Sequence, residues 1–129
     1  MAAERSILCV DDDEDTLFIT TLSLELDNDI RVTKSSRGSD ALALLAGSGA
    51  QIDCIILDVR MPDMGGPELL AAIRTLPAHR KTPVIFLTAG IRDGDAERYA
   101  ALGASGVLSK PYDPLTLAAD VRRILATAE

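Results

Sequence analysis

The segment Cys54-Ile55-Ile56-Leu57-Asp58-Val59-Arg60-Met61-Pro62-Asp63-Met64-Gly65-Gly66 opens on four apolar residues in a row and then stops on an aspartate. An apolar run without polar alternation marks a strand buried on both faces, as in a parallel sheet covered by helices above and below. Asp58 therefore stands at the carboxyl end of a buried strand. Val59, Arg60, Met61 and Pro62 follow it, so no helix starts there to use Asp58 as a cap.

Outward from this segment, strand-like runs recur at Ser6–Val10, Ile30–Lys34, Ile52–Leu57, Pro83–Thr88 and Gly106–Ser109. Between them the apolar residues take helical spacing: Leu17, Thr20, Thr21, Leu24; then Ala41, Leu42, Leu45; then Leu69, Leu70, Ile73, Leu76; then a stretch around Ala96 to Leu102; last Leu117, Val121, Ile124, Leu125. Strand and helix alternate five times, which predicts an α/β fold of right-handed crossovers with helices on both faces of one parallel sheet. Punctuation agrees. Gly47 and Gly49 end the second helix, Pro67 sits in the first turn of the third, and Gly103 follows the fourth. Asp113-Pro114 reads as N-cap and N1 of the fifth.

The chain has 129 residues, 47% of them hydrophobic and 26% charged, which suits one folded domain rather than a disordered or fibrous chain. With no linker, repeat or low-complexity tract between elements, the expectation is a single domain over residues 5–127. The formal net charge of −7 disfavours capture by nucleic acid or an anionic membrane and suits a metal cation. The start, Met1 to Ser6, lacks the basic-then-apolar pattern of a signal peptide, and no apolar run approaches a membrane span, so the cytoplasm is the expected compartment. Cys9 and Cys54 sit inside apolar runs and read as core thiols; the lone His79, in a polar loop, offers no metal or redox partner.

In an open parallel sheet, ligands bind beyond the carboxyl ends of the strands. There the chain carries Asp11-Asp12-Asp13-Glu14-Asp15 after the first strand, Asp58 after the third, Thr88-Ala89 after the fourth and Lys110-Pro111 after the fifth. Asp13, Glu14 and Asp15 are accounted for by helix capping and the helix dipole. Asp11, Asp12 and Asp58 are not, and like charges ~4 Å apart repel by ~4 kcal/mol at an effective dielectric of 20, so the cluster calls for a cation. Oxygen ligands alone favour Mg²⁺, Mn²⁺ or Ca²⁺, and the run lacks the glycine and terminal glutamate of a calcium-binding helix-loop-helix. Lys110 supplies a mobile positive charge, Thr88 a short hydroxyl donor, and Ala89 and Gly90 leave space for an incoming group.

Together, the Asp11-Asp12 pair, the Asp58 to Gly66 segment, Thr88-Ala89 and Lys110-Pro111 resemble the receiver domains of response regulators in two-component signalling, over essentially the whole chain. The resemblance implies a flavodoxin-like (βα)5 doubly wound sandwich with strand order 2-1-3-4-5 and no output domain. It implies Asp58 as phosphoacceptor and Mg²⁺, with Mn²⁺ as substitute, held by Asp11, Asp12, Asp58 and the main-chain carbonyl of Arg60. Thr88, Ala89 and Lys110 would bind the phosphoryl group, and Pro62, Gly66 and Pro111 would set loop geometry. The partners implied are a histidine kinase or histidine phosphotransfer protein and a downstream protein target, with no nucleic acid or membrane. The chain would be a monomer or a weak dimer through its fourth helix, fifth strand and fifth helix, the face that signals.

Two positions depart from the family's common pattern. Val107 stands where many receivers carry Tyr or Phe, so a ring swinging inward cannot report the phosphoryl group. Gly65 stands where an acidic residue often precedes the turn glycine, which predicts a more flexible loop. Met61 and Met64 read as core or loop packing, and Tyr112 as packing beside the site. Arg60 and Gly90 border the mouth of the site and predict slow loss of the phosphoryl group. A receiver-like module without chemistry is disfavoured because no acidic, acceptor or lysine position is lost. An aspartyl phosphatase would need a second acid beside the nucleophile, where Val59 and Arg60 stand.

Overall fold

The computed structural model describes residues 5–47, 51–89, 94–110 and 112–128. Five parallel strands, β1 (Arg5–Val10), β2 (Ile30–Ser35), β3 (Cys54–Asp58), β4 (Val84–Thr88) and β5 (Gly106–Ser109), form one sheet of order β2-β1-β3-β4-β5. The helices are α1 (Glu14–Glu25), α2 (Gly38–Ala46), α3 (Gly66–Ile73), α4 (Asp95–Ala101) and α5 (Leu117–Ala128), with a 3-10 turn at Pro77–His79. The doubly wound sandwich, its parallel sheet and its order are those anticipated.

The central strands alternate their apolar side chains between two cores. Leu8, Val10, Ile55, Leu57, Val84 and Phe86 pack with α2, α3 and α4 on one face. Ile7, Cys9, Cys54, Ile56, Ile85 and Leu87 pack with α1 and α5 on the other. Every one of these residues is at most 2% exposed, and each fully buried Leu or Ile contributes ~1.5–3 kcal/mol of transfer free energy. Both cysteines lie in the second core, where burial pushes their thiols up, to about 12 for Cys54, so neither is a reactive thiolate.

Local chemistry explains the boundaries. Asp13 caps α1, its carboxylate accepting the amides of Asp15 and Thr16. Gly103 takes φ 104° after α4, and the amides of Gly103 and Ala104 close onto Ala100 and Tyr99. Gly47 is the C-cap of α2; Gly49 lies outside the described residues, as do Gly90 and Pro111. Several sequence expectations shift. β3 starts at Cys54, not Ile52, and β4 at Val84, not Pro83. Asp113-Pro114 does not open α5: Asp113 accepts the Leu115 amide on its side chain and the Thr116 amide on its carbonyl, which makes a separate turn, and the helix begins at Leu117. His79 is not in an open polar loop but 3% exposed, its Nδ1 2.9 Å from Thr82 Oγ1. Arg74 fastens this turn by donating to the carbonyls of His79, Thr82 and Gly103. Among the described residues no helix is long and apolar enough to cross a membrane.

Candidate functional site

The carboxyl ends of β1, β3, β4 and β5 lie side by side because the strand order puts β1 against β3, β3 against β4 and β4 against β5. Asp11, one residue beyond β1, is 3% exposed and has both carboxylate oxygens engaged: Oδ1 accepts the Asp13 amide at 2.9 Å and Oδ2 accepts Lys110 Nζ at 3.0 Å. Asp58 closes β3, pairing in register with Leu87, and its side chain is 12% exposed. Lys110 Nζ lies 3.3 Å from Asp58 Oδ1, so one ammonium bridges two buried acids. Asp12 is exposed at the rim, and one carboxylate oxygen from each of Asp11, Asp12 and Asp58 falls within 4.8 Å of the others.

Three carboxylates against one ammonium leave a formal charge of −2 at the end of the sheet. The strain is visible on Asp58: burial, then the charge of Asp11, push its carboxyl up, against the pull of Lys110 and the Arg60 amide. Burial pulls the Lys110 ammonium down, but hydrogen bonds and charge from Asp11 and Asp58 outweigh it and the net direction is up. A buried, under-compensated carboxylate set of oxygen donors alone fits a hard divalent cation.

Thr88, the last residue of β4, is half-buried one step beyond the partner of Asp58, and its carbonyl accepts the Lys110 amide at 2.7 Å. Ala89 is exposed and lines a depression with Lys110, Thr16, Ile19 and Tyr112. Tyr112 packs beside the site as anticipated, its hydroxyl hydrogen-bonded to that of Thr20. Arg60 and Pro62 are exposed in the loop between β3 and α3, whereas Met61 and Met64 turn inward onto the core, which bears out their reading as packing residues. Gly66 is required by space: a Cβ there would meet Asp58 O at 2.9 Å and Val59 Cα at 3.0 Å. Val107 is half-buried beside Phe86 in register. The ring that packs on Phe86 comes from α4: Tyr99, edge-on with centroids 4.9 Å apart. Periodicity placed Tyr99 on a helix but did not show that its ring packs on Phe86.

The profile of the response regulator receiver domain matches residues 7–122. The chain belongs to the response regulator receiver domain family. As a receiver domain it is 38% identical over 115 residues to an uncharacterized 14.6 kDa protein in the sodA1 3' region of Leptolyngbya boryana, covering 89% of this chain and 86% of that one. Its structure is similar to that of the Vibrio cholerae chemotaxis protein CheY4, with TM-score 0.84, 33% identity, and 95% and 99% of the two chains covered. It is also similar to the BeF3-activated DrrB receiver domain, with TM-score 0.78, 29% identity, and 95% and 98% covered. Several transcriptional and other response regulators match as well, and this receiver spans about half their length. Receivers of this family are signalling switches of two-component systems rather than classic enzymes, and the acidic pocket of this one is consistent with phosphoacceptor signalling.

Proposed function

We propose that this receiver takes a phosphoryl group onto Asp58, with Mg²⁺ held by Asp11, Asp12, Asp58 and the Arg60 carbonyl, from a histidine kinase or histidine phosphotransfer protein. The observation that carries the reading is the convergence of three carboxylates and Lys110 at the end of the central strands. Bound Mg²⁺, or Mn²⁺ in its place, supplies positive charge for the non-bridging phosphoryl oxygens. A carboxylate oxygen of Asp58 attacks phosphorus in line, the bond from phosphorus to the donor imidazole nitrogen breaks, and the imidazole leaves with its electron pair. Lys110 exchanges its contact with Asp58 for a phosphoryl oxygen, and the Thr88 hydroxyl and the backbone at Ala89 receive the others. Pro62 and Gly66 shape the loop that follows Asp58. The product is a mixed anhydride that water can later cleave, so Asp58 acts as an acceptor that promotes its own loading and unloading. BeF3 on a carboxylate copies the shape and charge of a phosphoryl group, so a similar receiver described as BeF3-activated supports this reading. A donor kinase fed by ATP puts the reaction in the cytoplasm.

The output is read from α4, β5 and α5, through which a downstream protein, or weakly a second copy, would dock. Lys110 follows β5 directly and is tied to the end of β4 through Thr88, while Tyr99 of α4 rests on Phe86 of β4. A shift of Thr88 and Lys110 toward the phosphoryl group therefore has packed neighbours to displace. Intact mass after treatment with a small acyl phosphate and Mg²⁺ tests the acceptor: one phosphoryl group is expected on the parent and none on Asp58→Ala. Gain of the same mass by the variant at the same rate refutes the assignment. Amide exchange on the loaded parent is expected to change in α4; a response confined to α1 and α2 refutes the signalling face.

A further inference from the structure

Helix α2 begins without a capping side chain of its own. Its N-cap residue is Arg37, which makes no capping side-chain bond, and the first amides are satisfied from far along the chain. The Gly38 amide donates to Asp63 Oδ1 at 3.4 Å and the Ser39 amide to Asp63 Oδ2 at 3.3 Å. Burial works against ionisation of Asp63, but these bonds, with the Arg37 charge behind them, hold its carboxyl below the ordinary value. Gly38 is itself buried at this junction, and a Cβ on it would stand 3.1 Å from Met64 Cβ. The loop from Val59 to Gly66 is thus held at two places: at its neck, where the Gly66 amide donates to the Val59 carbonyl at 2.9 Å, and at its tip, by Asp63 on α2. Arg60 lies between the two.

We propose that Asp63 is a positioning residue of the acidic site, clipping the tip of the loop between β3 and α3 to the start of α2 and so holding the Arg60 carbonyl in place as a metal ligand. The proposal rests on the metal reading above. Its effect is one of population: if the unclipped loop presents the carbonyl only about a third to a tenth of the time, Mg²⁺ binds about three- to tenfold more weakly, in proportion. Asparagine keeps one of the two accepting oxygens and replaces the other by an NH2 that cannot accept, whereas alanine has neither, so Asp63→Asn should restore part of what Asp63→Ala loses.

The test is a calorimetric Mg²⁺ titration of the full chain, its Asp63→Ala and Asp63→Asn variants and a control, Asp53→Ala, at a temperature where all four are folded. Asp53 makes a comparable clip at the opposite end of the sheet, its Oδ2 accepting the Ser6 amide at 2.8 Å. Asp63→Ala is expected to weaken Mg²⁺ about three- to tenfold and to quicken amide exchange at Gly38 and Ser39. Asp63→Asn is expected to fall between the parent and Asp63→Ala, and Asp53→Ala to stay within about twofold of the parent. Parent-like affinity in Asp63→Ala, no rescue by Asp63→Asn, or an equal loss in Asp53→Ala each overturns the positioning role. A parent that binds no Mg²⁺ overturns the metal reading itself and the role of Asp63 with it; the exchange rates at Gly38 and Ser39 then still show whether the clip exists.

Discussion

Replacing Gly66 by alanine sets a methyl group against atoms that cannot retreat. The added Cβ would lie 2.9 Å from Asp58 O, 3.0 Å from Val59 Cα and 3.1 Å from Phe86 Cε1. Two of these are main chain, and the third belongs to a fully buried ring wedged against Tyr99. Overpacking of this kind costs ~1–3 kcal/mol. With the obstruction mostly backbone, about 2 kcal/mol is expected, or about 6–10 °C in Tm for a domain of this size. The neighbouring Gly65 supplies the comparison. Its φ of −64° is open to any residue, and the nearest atom to an added Cβ is Val59 O at 3.7 Å. Gly65 is the N-cap of α3, where alanine is a poorer cap than glycine, so the stability gained from a less free unfolded chain is offset and Gly65→Ala should change stability by less than ~1 kcal/mol. Urea unfolding followed by circular dichroism, with slopes compared, measures both. A Gly66→Ala stability within ~0.5 kcal/mol of the parent, or a Gly65→Ala loss as large as that of Gly66→Ala, refutes the reasoning.

Two further outcomes follow from the electrostatics. Because burial and Asp11 raise the Asp58 carboxyl, the folded state keeps that proton to higher pH than the unfolded chain, so stability of the metal-free protein falls as pH rises from the ordinary carboxylate range through the raised one. Asp58→Asn removes the charge and should be more stable than the parent at neutral pH by about 1 kcal/mol without divalent cation, the gap closing in acid; urea titrations across this range check it, and a gap that does not widen with rising pH counts against it. Mg²⁺ affinity of the parent should fall in the same acid window. At the rim, exposed Arg60 is expected to lie across the approach of water to the phosphoryl group, so Arg60→Asn should lose phosphate about threefold or more faster once loaded; unchanged or slower decay in a phosphate-release assay removes Arg60 as a shield.

The sequence by itself determined the fold class, because strands buried on both faces cannot alternate with polar residues: the unbroken run before Asp58 and its counterparts announce a covered parallel sheet. It also determined where to look for chemistry, since polar residues that end such runs must gather at one edge of the sheet. Capping by Asp13 and the C′ role of Gly103 were equally legible, being decided within a few residues of chain. Tertiary structure alone decided what depends on distant partners. Asp63 sits in a recognisable segment, yet its hold on Gly38 and Ser39 joins positions 24 and 25 residues apart, which no local pattern encodes. His79 was buried by the carbonyl clamp of Arg74 and the bond to Thr82, although the residues that follow it, Arg80, Lys81 and Thr82, are polar. Gly66 is glycine because the end of β3 and the Phe86 ring of β4 leave no room for a Cβ, a steric fact that exists only once the two have met. Proximity in the chain sets caps and periods; excluded volume and shared charge arise only when the chain has closed on itself.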